Sequence, residues 1–434
     1  MNQGIDGPEA GGGTAALGAK EAAALLGVKL PTLYAYVSRG LLRSLPGTGS
    51  SRARRYLRSD VEALRDRSRG SAAAAAALRF GEPVLDSGIT EMRSDGPFYR
   101  GRSAVAFAEA GTRFETVAEW LWSGAMPGAD PVWPVPGPSP RLAGLARLLP
   151  ADAPPASVRP LVLAAWAARD PGRFDPRAEA IQQRARGITR LLAASLSLPG
   201  RPDLAARAWN APTMAEAVLA AYGLAAGDGA RRAVDALLVL MADHELNAST
   251  FAARVAASAQ ADVHAAIQAG LATLSGPLHG GASDQVEALL REIATPADAA
   301  RVVAERTRRG ERIPGFGHML YDDAIGDPRA TALLAVAGAQ PERTRPGGRS
   351  ERACMLALIA AMAEAKRPPP NVDAAAVVLR AALGMPAGAV AGIFAVGRCA
   401  GWVAHIVEQA ETGQLLRPRA RYVGPPSEDG TRLS

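Results

Sequence analysis

Ser275-Gly276-Pro277-Leu278-His279-Gly280-Gly281 opens a series of three short motifs whose order decides how the rest of the chain is read. The second is Pro314-Gly315-Phe316-Gly317-His318, followed by Asp327-Pro328-Arg329; the third is Asn371-Val372-Asp373. All three lie in Gly- and Pro-rich turns, where backbone can approach a ligand closely. The chain has only five histidines, so two in such turns stand out. Two imidazoles and an aspartate are what proton abstraction beside a carbonyl requires: a base, and neutral donors that hold the developing enolate. His279, between Pro277 and two glycines, is expected at a helix N-terminus. The positive end of the helix would lower its pKa and keep it neutral.

Composition bounds the rest. The 434 residues suffice for two or three domains. Aromatic residues make up 5% and Ala, Leu, Arg and Gly dominate, which favours helices over strands. The two cysteines, Cys354 and Cys399, fit no metal-ligand spacing and point to a reducing compartment, so the expectation is a soluble cytoplasmic protein without a metal. The start lacks the basic and apolar blocks of a signal peptide. The longest uncharged run, between Arg380 and Arg398, is shorter than the ~20 apolar residues a membrane span needs. Met126 to Pro160 carries ten prolines and is expected to break into short helices and turns as a surface excursion.

Charge is uneven. Residues 1–80 hold 12 Lys and Arg against six Asp and Glu, or +6 of the chain's +7, which points to a separate module with an anionic partner. Residues 1–16 are Gly-rich and expected to be disordered. Within 17–70, a helix from Lys20 stops at Gly27, and a second runs from Pro31 to Arg39. A Gly/Ser-rich tip with Arg52, Arg54 and Arg55 reads as a basic wing, and Ser59-x-x-Glu62 as a capping box for a third helix. This pattern is similar to the winged helix-turn-helix of MerR-type regulators and excisionases. The resemblance makes Lys29, Thr32, Tyr36, Arg39, Arg52, Arg54 and Arg55 the DNA-binding candidates. A helical docking domain with a solvated basic face is the alternative. Residues 71–84 are an Ala-rich linker.

The three motifs resemble the citrate synthase family's GPLHGGAN, GFGHRVY with DPRA, and NVD. Other stretches extend the likeness from about residue 85 to 424: Ala242 to Thr250 (ADHELNAST), Gly397 to His405 (GRCAGWVAH), Arg417-Pro418-Arg419, Tyr99-Arg100-Gly101 and Phe114 to Glu119. The resemblance implies an all-α fold over 85–434, with a large part (85–282 and 386–434) and a small part (283–385) flanking a cleft. It implies a homodimer acting on oxaloacetate and acetyl-CoA or another acyl-CoA, with no further cofactor. His279 would hold the thioester oxygen, Asp373 would remove a methyl proton, and His318 would polarise the keto oxygen. His244, Arg329, Arg398 and Arg417 would bind the dicarboxylate, Arg417 reaching across from the partner subunit. Arg419 is a weaker candidate, and His264 and His405 are structural.

Met319-Leu320-Tyr321 stands where the family has Arg-Val-Tyr, Ala374-Ala375-Ala376 follows Asp373, and Met241 replaces the first histidine of HADHE. These departures leave open acetyl-CoA against propionyl-CoA, the substrate of 2-methylcitrate synthases. They also leave open a regulator whose synthase-like part senses a metabolite and controls DNA binding.

Overall fold

The computed structural model describes residues 16–38, 42–45, 54–62, 64, 85–137, 142–150, 153–198, 200–343, 348–420 and 424. Two compact units divide it, Met1–Asp86 and Ser87–Ser434. Arg39, Arg52, the expected wing tip, the 71–84 linker and residues 1–15 of the expected disordered stretch lie outside the described residues.

In the first unit, strand β1 (Ala16–Gly18) leads into helix α1 (Ala19–Leu26), which stops at Gly27, and helix α2 (Leu30–Ser38) follows. Strand β2 (Arg55–Leu57) pairs antiparallel with β1, Ala16 opposite Leu57, and Leu45 bridges to Arg55. Ala16 is thus strand, correcting the expectation that 1–16 is disordered throughout: the returning β2 supplies backbone partners that the sequence does not reveal. Helical backbone resumes at 58, one residue before Ser59, so that serine lies within the helix and does not cap it. Ala22, Ala23, Leu33, Leu42, Tyr56 and Val61 form this unit's own small core.

Among the described residues the second unit is helical apart from one antiparallel meander, β3 (Thr90–Arg93), β4 (Gly96–Tyr99) and β5 (Arg102–Ser103). Eight of its helices bear on the site: α3 (Asp228–Met241), α4 (Ala248–Ser258), α5 (Val263–Leu274), α6 (Ala282–Arg291), α7 (Pro328–Gly338), α8 (Glu351–Glu364), α9 (Val372–Leu383) and α10 (Ala389–Thr412). The long α10 is the axis of the core and packs against α3, α4, α5 and the helices Phe114–Ser123 and Ala178–Ala194. It is long and apolar enough to cross a membrane, but 94% of its most apolar window is buried inside the unit. The proline-rich 126–160 stretch is not wholly superficial: Trp133 is buried and stacks on Trp122, with ring centroids 5.3 Å apart.

Candidate active site

Close backbone approach places the first candidate histidine, His244. α3 ends at the 242–247 turn, and α10 comes so near that a Cβ on Gly401 would lie 2.3 Å from Asp243 Oδ1 and 2.4 Å from the Ala242 carbonyl. Gly401 N–H donates to that carbonyl at 2.9 Å. Asp243, fully buried, accepts the Glu245 N–H at 3.2 Å and faces His405 Nε2 at 3.3 Å. Burial alone would raise its carboxyl, but His405 beside it, with Arg398, holds it below the ordinary value. His405 also meets Arg254 at 3.3 Å, so it braces the turn, and His264 is buried beside Asp262. This bracing fixes the turn that carries His244, whose Nε2 lies 3.1 Å from Tyr321 OH.

His244, His318 and Tyr321 form one aromatic cluster. Ring centroids lie 5.2 Å apart for the two histidines, 6.0 Å for His244 and Tyr321, and 4.9 Å for His318 and Tyr321. The Arg329 guanidinium sits 5.7 Å over the tyrosine ring. His318 Nδ1 accepts the Leu320 N–H at 3.1 Å, which puts the neutral imidazole's proton on Nε2 and makes that nitrogen a donor. Burial, reinforced by Arg329, pushes His318 down to about 4; burial and the same guanidinium hold His244 far below its ordinary value.

Arg329 is fixed by Asp327. Its Nε and Nη2 donate to the two carboxylate oxygens at 3.0 and 2.8 Å, a bidentate pair buried on both sides. The same carboxylate caps α7 through the Arg329 N–H and accepts the Val372 N–H, at 3.1 and 3.0 Å. One aspartate therefore joins the second motif to the third. The segment 315–317 lies antiparallel to 369–371, with Gly317 N–H on Pro369 O and Asn371 N–H on Gly315 O, both at 2.9 Å. Gly315 has φ +86°, and a Cβ there would meet Val286 at 2.7 Å and Ala374 at 3.0 Å, so a larger residue would press on the start of α9 beside Asp373.

Asp373 lies in the first turn of α9, behind its cap Asn371, whose Oδ1 accepts the Asp373 N–H at 3.0 Å. Burial raises its carboxyl to about 6, with Arg329 and Arg398 pulling the other way. It is ionised at neutral pH yet basic enough to take a proton. Arg398, buried in α10, donates Nε–H to Met241 O at 2.8 Å and lies 4.8 Å over the Phe394 ring.

His279 precedes the cap Gly281 of α6 rather than sitting in the helix. Its pKa falls to about 4 through burial first and then Arg398, so side-chain packing does what the sequence reading assigned to the helix end. Its Nε2 is 2.8 Å from Ser249 Oγ, which accepts the Trp402 Nε1–H at 3.2 Å and donates to Asn247 Oδ1 at 2.8 Å. Phe394 packs edge-on at 6.4 Å.

His244, His279, His318, Arg329, Asp373 and Arg398 are thus linked by contact or by charge in one region. Arg417 and Arg419 are not brought there by this chain: both are exposed on the tail after α10. The adjacent Leu416 N–H is tied to Ser258 Oγ at 3.1 Å. Ser258 ends α4, whereas Ser249, the partner of His279, begins it, about 13 Å away at 1.5 Å per residue. Sequence reasoning assigned no role to Ser249, Asp327, Tyr321 or Trp402; each stands inside a quoted motif, and that was the available signal. Among the described residues no group of three or more His, Cys, Asp or Glu side chains is placed to hold a metal ion.

In the first unit Lys29 is exposed and Thr32 and Tyr36 are half-buried on α2. Arg54 donates to Ser44 Oγ at 2.8 Å, and Arg55 to the Ala16 carbonyl. Arg43 and Arg58 are paired with Asp60 and Glu62, so part of the module's positive charge is neutralised internally.

The family model described as "Citrate synthase, C-terminal domain" matches residues 79–419, and a "Helix-turn-helix domain" model matches 16–69. Among curated proteins, the chain is 40% identical over 198 residues to a citrate synthase of Haloferax volcanii, covering 45% of this chain and 51% of that protein. It is 36% identical over 193 residues to a 2-methylcitrate synthase of Shewanella oneidensis, covering 44% and 50%. These alignments span about half the length of the curated relatives. A citrate synthase of Thermoplasma acidophilum, solved as a ternary complex with carboxymethyl coenzyme A and oxaloacetate, superposes with TM-score 0.70 at 25% identity, covering 83% of this chain and 98% of that one. The Thermotoga maritima citrate synthase gives 0.65 at 26%, covering 81% and 96%.

Proposed function

The chain belongs to the citrate synthase family, and on that premise we propose that it condenses an acyl-CoA with oxaloacetate, acetyl-CoA giving citrate and free CoA. The observation that carries the reading is the protonation pattern: one carboxylate near pH 6 at Asp373, among imidazoles held neutral at His279 and His318.

Oxaloacetate lies against His244, Arg329 and Arg398, with Arg417 of the partner subunit completing the clamp in a homodimer. Arg329, its other edge fixed by Asp327, offers a preset guanidinium face to a carboxylate. The cleft separates a large part, 85–282 and 386–434, from a small part, 283–385. Asp373 takes a proton from the acyl α-carbon. His279, held neutral with its Nε2 edge against Ser249 Oγ, stabilises the thioester oxygen as that oxygen gains charge. His318 Nε2–H polarises the keto oxygen, the enolate carbon bonds to the keto carbon, and the resulting alkoxide takes up a proton. Water then cleaves the C–S bond, releasing the tricarboxylate and the CoA thiol. No cofactor beyond the acyl-CoA substrate is needed, and the two free, buried cysteines suit a reducing, cytoplasmic setting.

A thiol-release assay with oxaloacetate and either acetyl- or propionyl-CoA tests this and separates citrate from 2-methylcitrate synthesis. No release with either thioester would sink it. Mixing Arg417→Ala with His279→Ala subunits tests the shared site, since each mixed dimer should retain one intact centre. The helix-turn-helix match and the charge concentrated in residues 1–80 favour a second reading, in which the first unit binds DNA and the synthase unit sets its affinity.

A further inference from the structure

Tyr321 is only 6% exposed, yet it carries a hydroxyl and sits between three groups of the proposed oxaloacetate clamp. Its ring lies 4.9 Å from that of His318 and 5.7 Å from the Arg329 guanidinium, while its hydroxyl meets His244 Nε2 at 3.1 Å. We propose that Tyr321 is a positioning residue of the dicarboxylate pocket, fixing the rotation of His244 through its hydroxyl and buttressing His318 through its ring. This inference rests on the reading of the cleft as an oxaloacetate site.

His244 Nε2 and the Tyr321 hydroxyl share a hydrogen bond at 3.1 Å. The hydroxyl stays protonated because burial pushes it up to about 12. With Nε2 engaged, the His244 ring cannot turn about χ2 without breaking that bond in a buried site, where an unsatisfied polar group is costly. His318 is held by the Leu320 N–H on Nδ1 and by the tilted Tyr321 ring packed 4.9 Å away, so the direction of its Nε2–H depends in part on that ring.

Tyr321→Phe in the full-length protein keeps the ring, its contact with His318 and its place beneath Arg329, and removes only the hydroxyl. Loss of one hydrogen bond of ordinary strength predicts an oxaloacetate Kd raised about 3- to 10-fold, measured by calorimetry. KM for the acyl-CoA and kcat should stay within about twofold, and the melting temperature should barely move. Tyr321→Leu also removes the plane and should lower kcat. In 15N-histidine-labelled protein, with resonances assigned through His244→Gln, the Phe variant should shift the His244 nitrogens and spare those of His279. Unchanged His244 resonances, or wild-type oxaloacetate affinity in the Phe variant, overturn the inference. So does equal weakening of both substrates alongside a lowered melting temperature, which would mark general support of the fold. If the wild-type protein itself binds no oxaloacetate, the functional reading fails, and the His244 resonances still decide whether Tyr321 holds that ring.

Discussion

Asp373→Asn should cripple the enzyme and stabilise the fold. Asparagine has nearly the shape of aspartate, so it removes the base and the charge with little change in packing. Burial raises the Asp373 carboxyl from 3.8 to about 6, which at about 1.36 kcal/mol per pH unit is a penalty of about 3 kcal/mol for holding it ionised. The side chain is half-buried, so solvent screening trims this to about 2 kcal/mol. The sign follows from the raised value: the folded state binds the proton more tightly than the unfolded chain, so the penalty is absent below about pH 3.8. It grows between 3.8 and about 6 and is complete above that. His244, His279 and His318 also titrate at acid pH, but they are common to both proteins and cancel in the difference. Urea unfolding at pH 4 and pH 7.5 should therefore give near-equal stabilities at the lower pH and a variant about 2 kcal/mol more stable at the higher. Thiol release should fall by about 10²–10⁴-fold with oxaloacetate affinity nearly intact, and wild-type kcat/KM should decline below about pH 6. A variant no more stable than wild type at pH 7.5 would show the carboxylate to be fully satisfied in the fold. Turnover near wild type would remove it as the base.

Gly401→Ala should be destabilising by about 1–3 kcal/mol, because its Cβ would fall 2.3 Å from Asp243 Oδ1 and 2.4 Å from a backbone carbonyl; the turn bearing His244 must shift, and oxaloacetate KM should rise along with the drop in denaturation midpoint. Arg329→Lys keeps the charge but loses the fork on Asp327, so KM for oxaloacetate should rise at least tenfold with a smaller effect on acyl-CoA KM; an unchanged KM would take Arg329 out of the clamp. Removing residues 1–80 should leave thiol release close to the full-length rate, since the second compact unit begins at Ser87. Full-length protein acting only as an enzyme should bind DNA weakly and with steep salt dependence, whereas a preference of about 10³-fold for one sequence, shifted by a dicarboxylate or acyl-CoA, would establish the regulator.

The linear sequence was enough to nominate the groups proposed to do chemistry and to mark roughly where the chain divides. His279, His318 and Asp373 announce themselves because Gly and Pro make their turns recognisable locally, and the excess charge of residues 1–80 marks a separate module by counting. Helical character likewise followed from composition. Only the tertiary structure decided what surrounds those groups, because their environment is assembled from residues far apart in the chain. The low pKa of His279 comes from burial and Arg398, more than a hundred residues away, and not from its own helix end. Asp327 joins Arg329 to the start of α9 through hydrogen bonds that no spacing rule predicts. Gly401 is legible as a motif letter, but the reason for it, a backbone carbonyl 2.4 Å from the missing Cβ, exists only once α10 has packed. The β1–β2 pairing that orders Ala16 likewise depends on a strand about 40 residues later. Local conformation and chemical identity are properties of short segments and survive in one dimension; desolvation, charge coupling and close approach are properties of volume, and they appear only when the chain has folded.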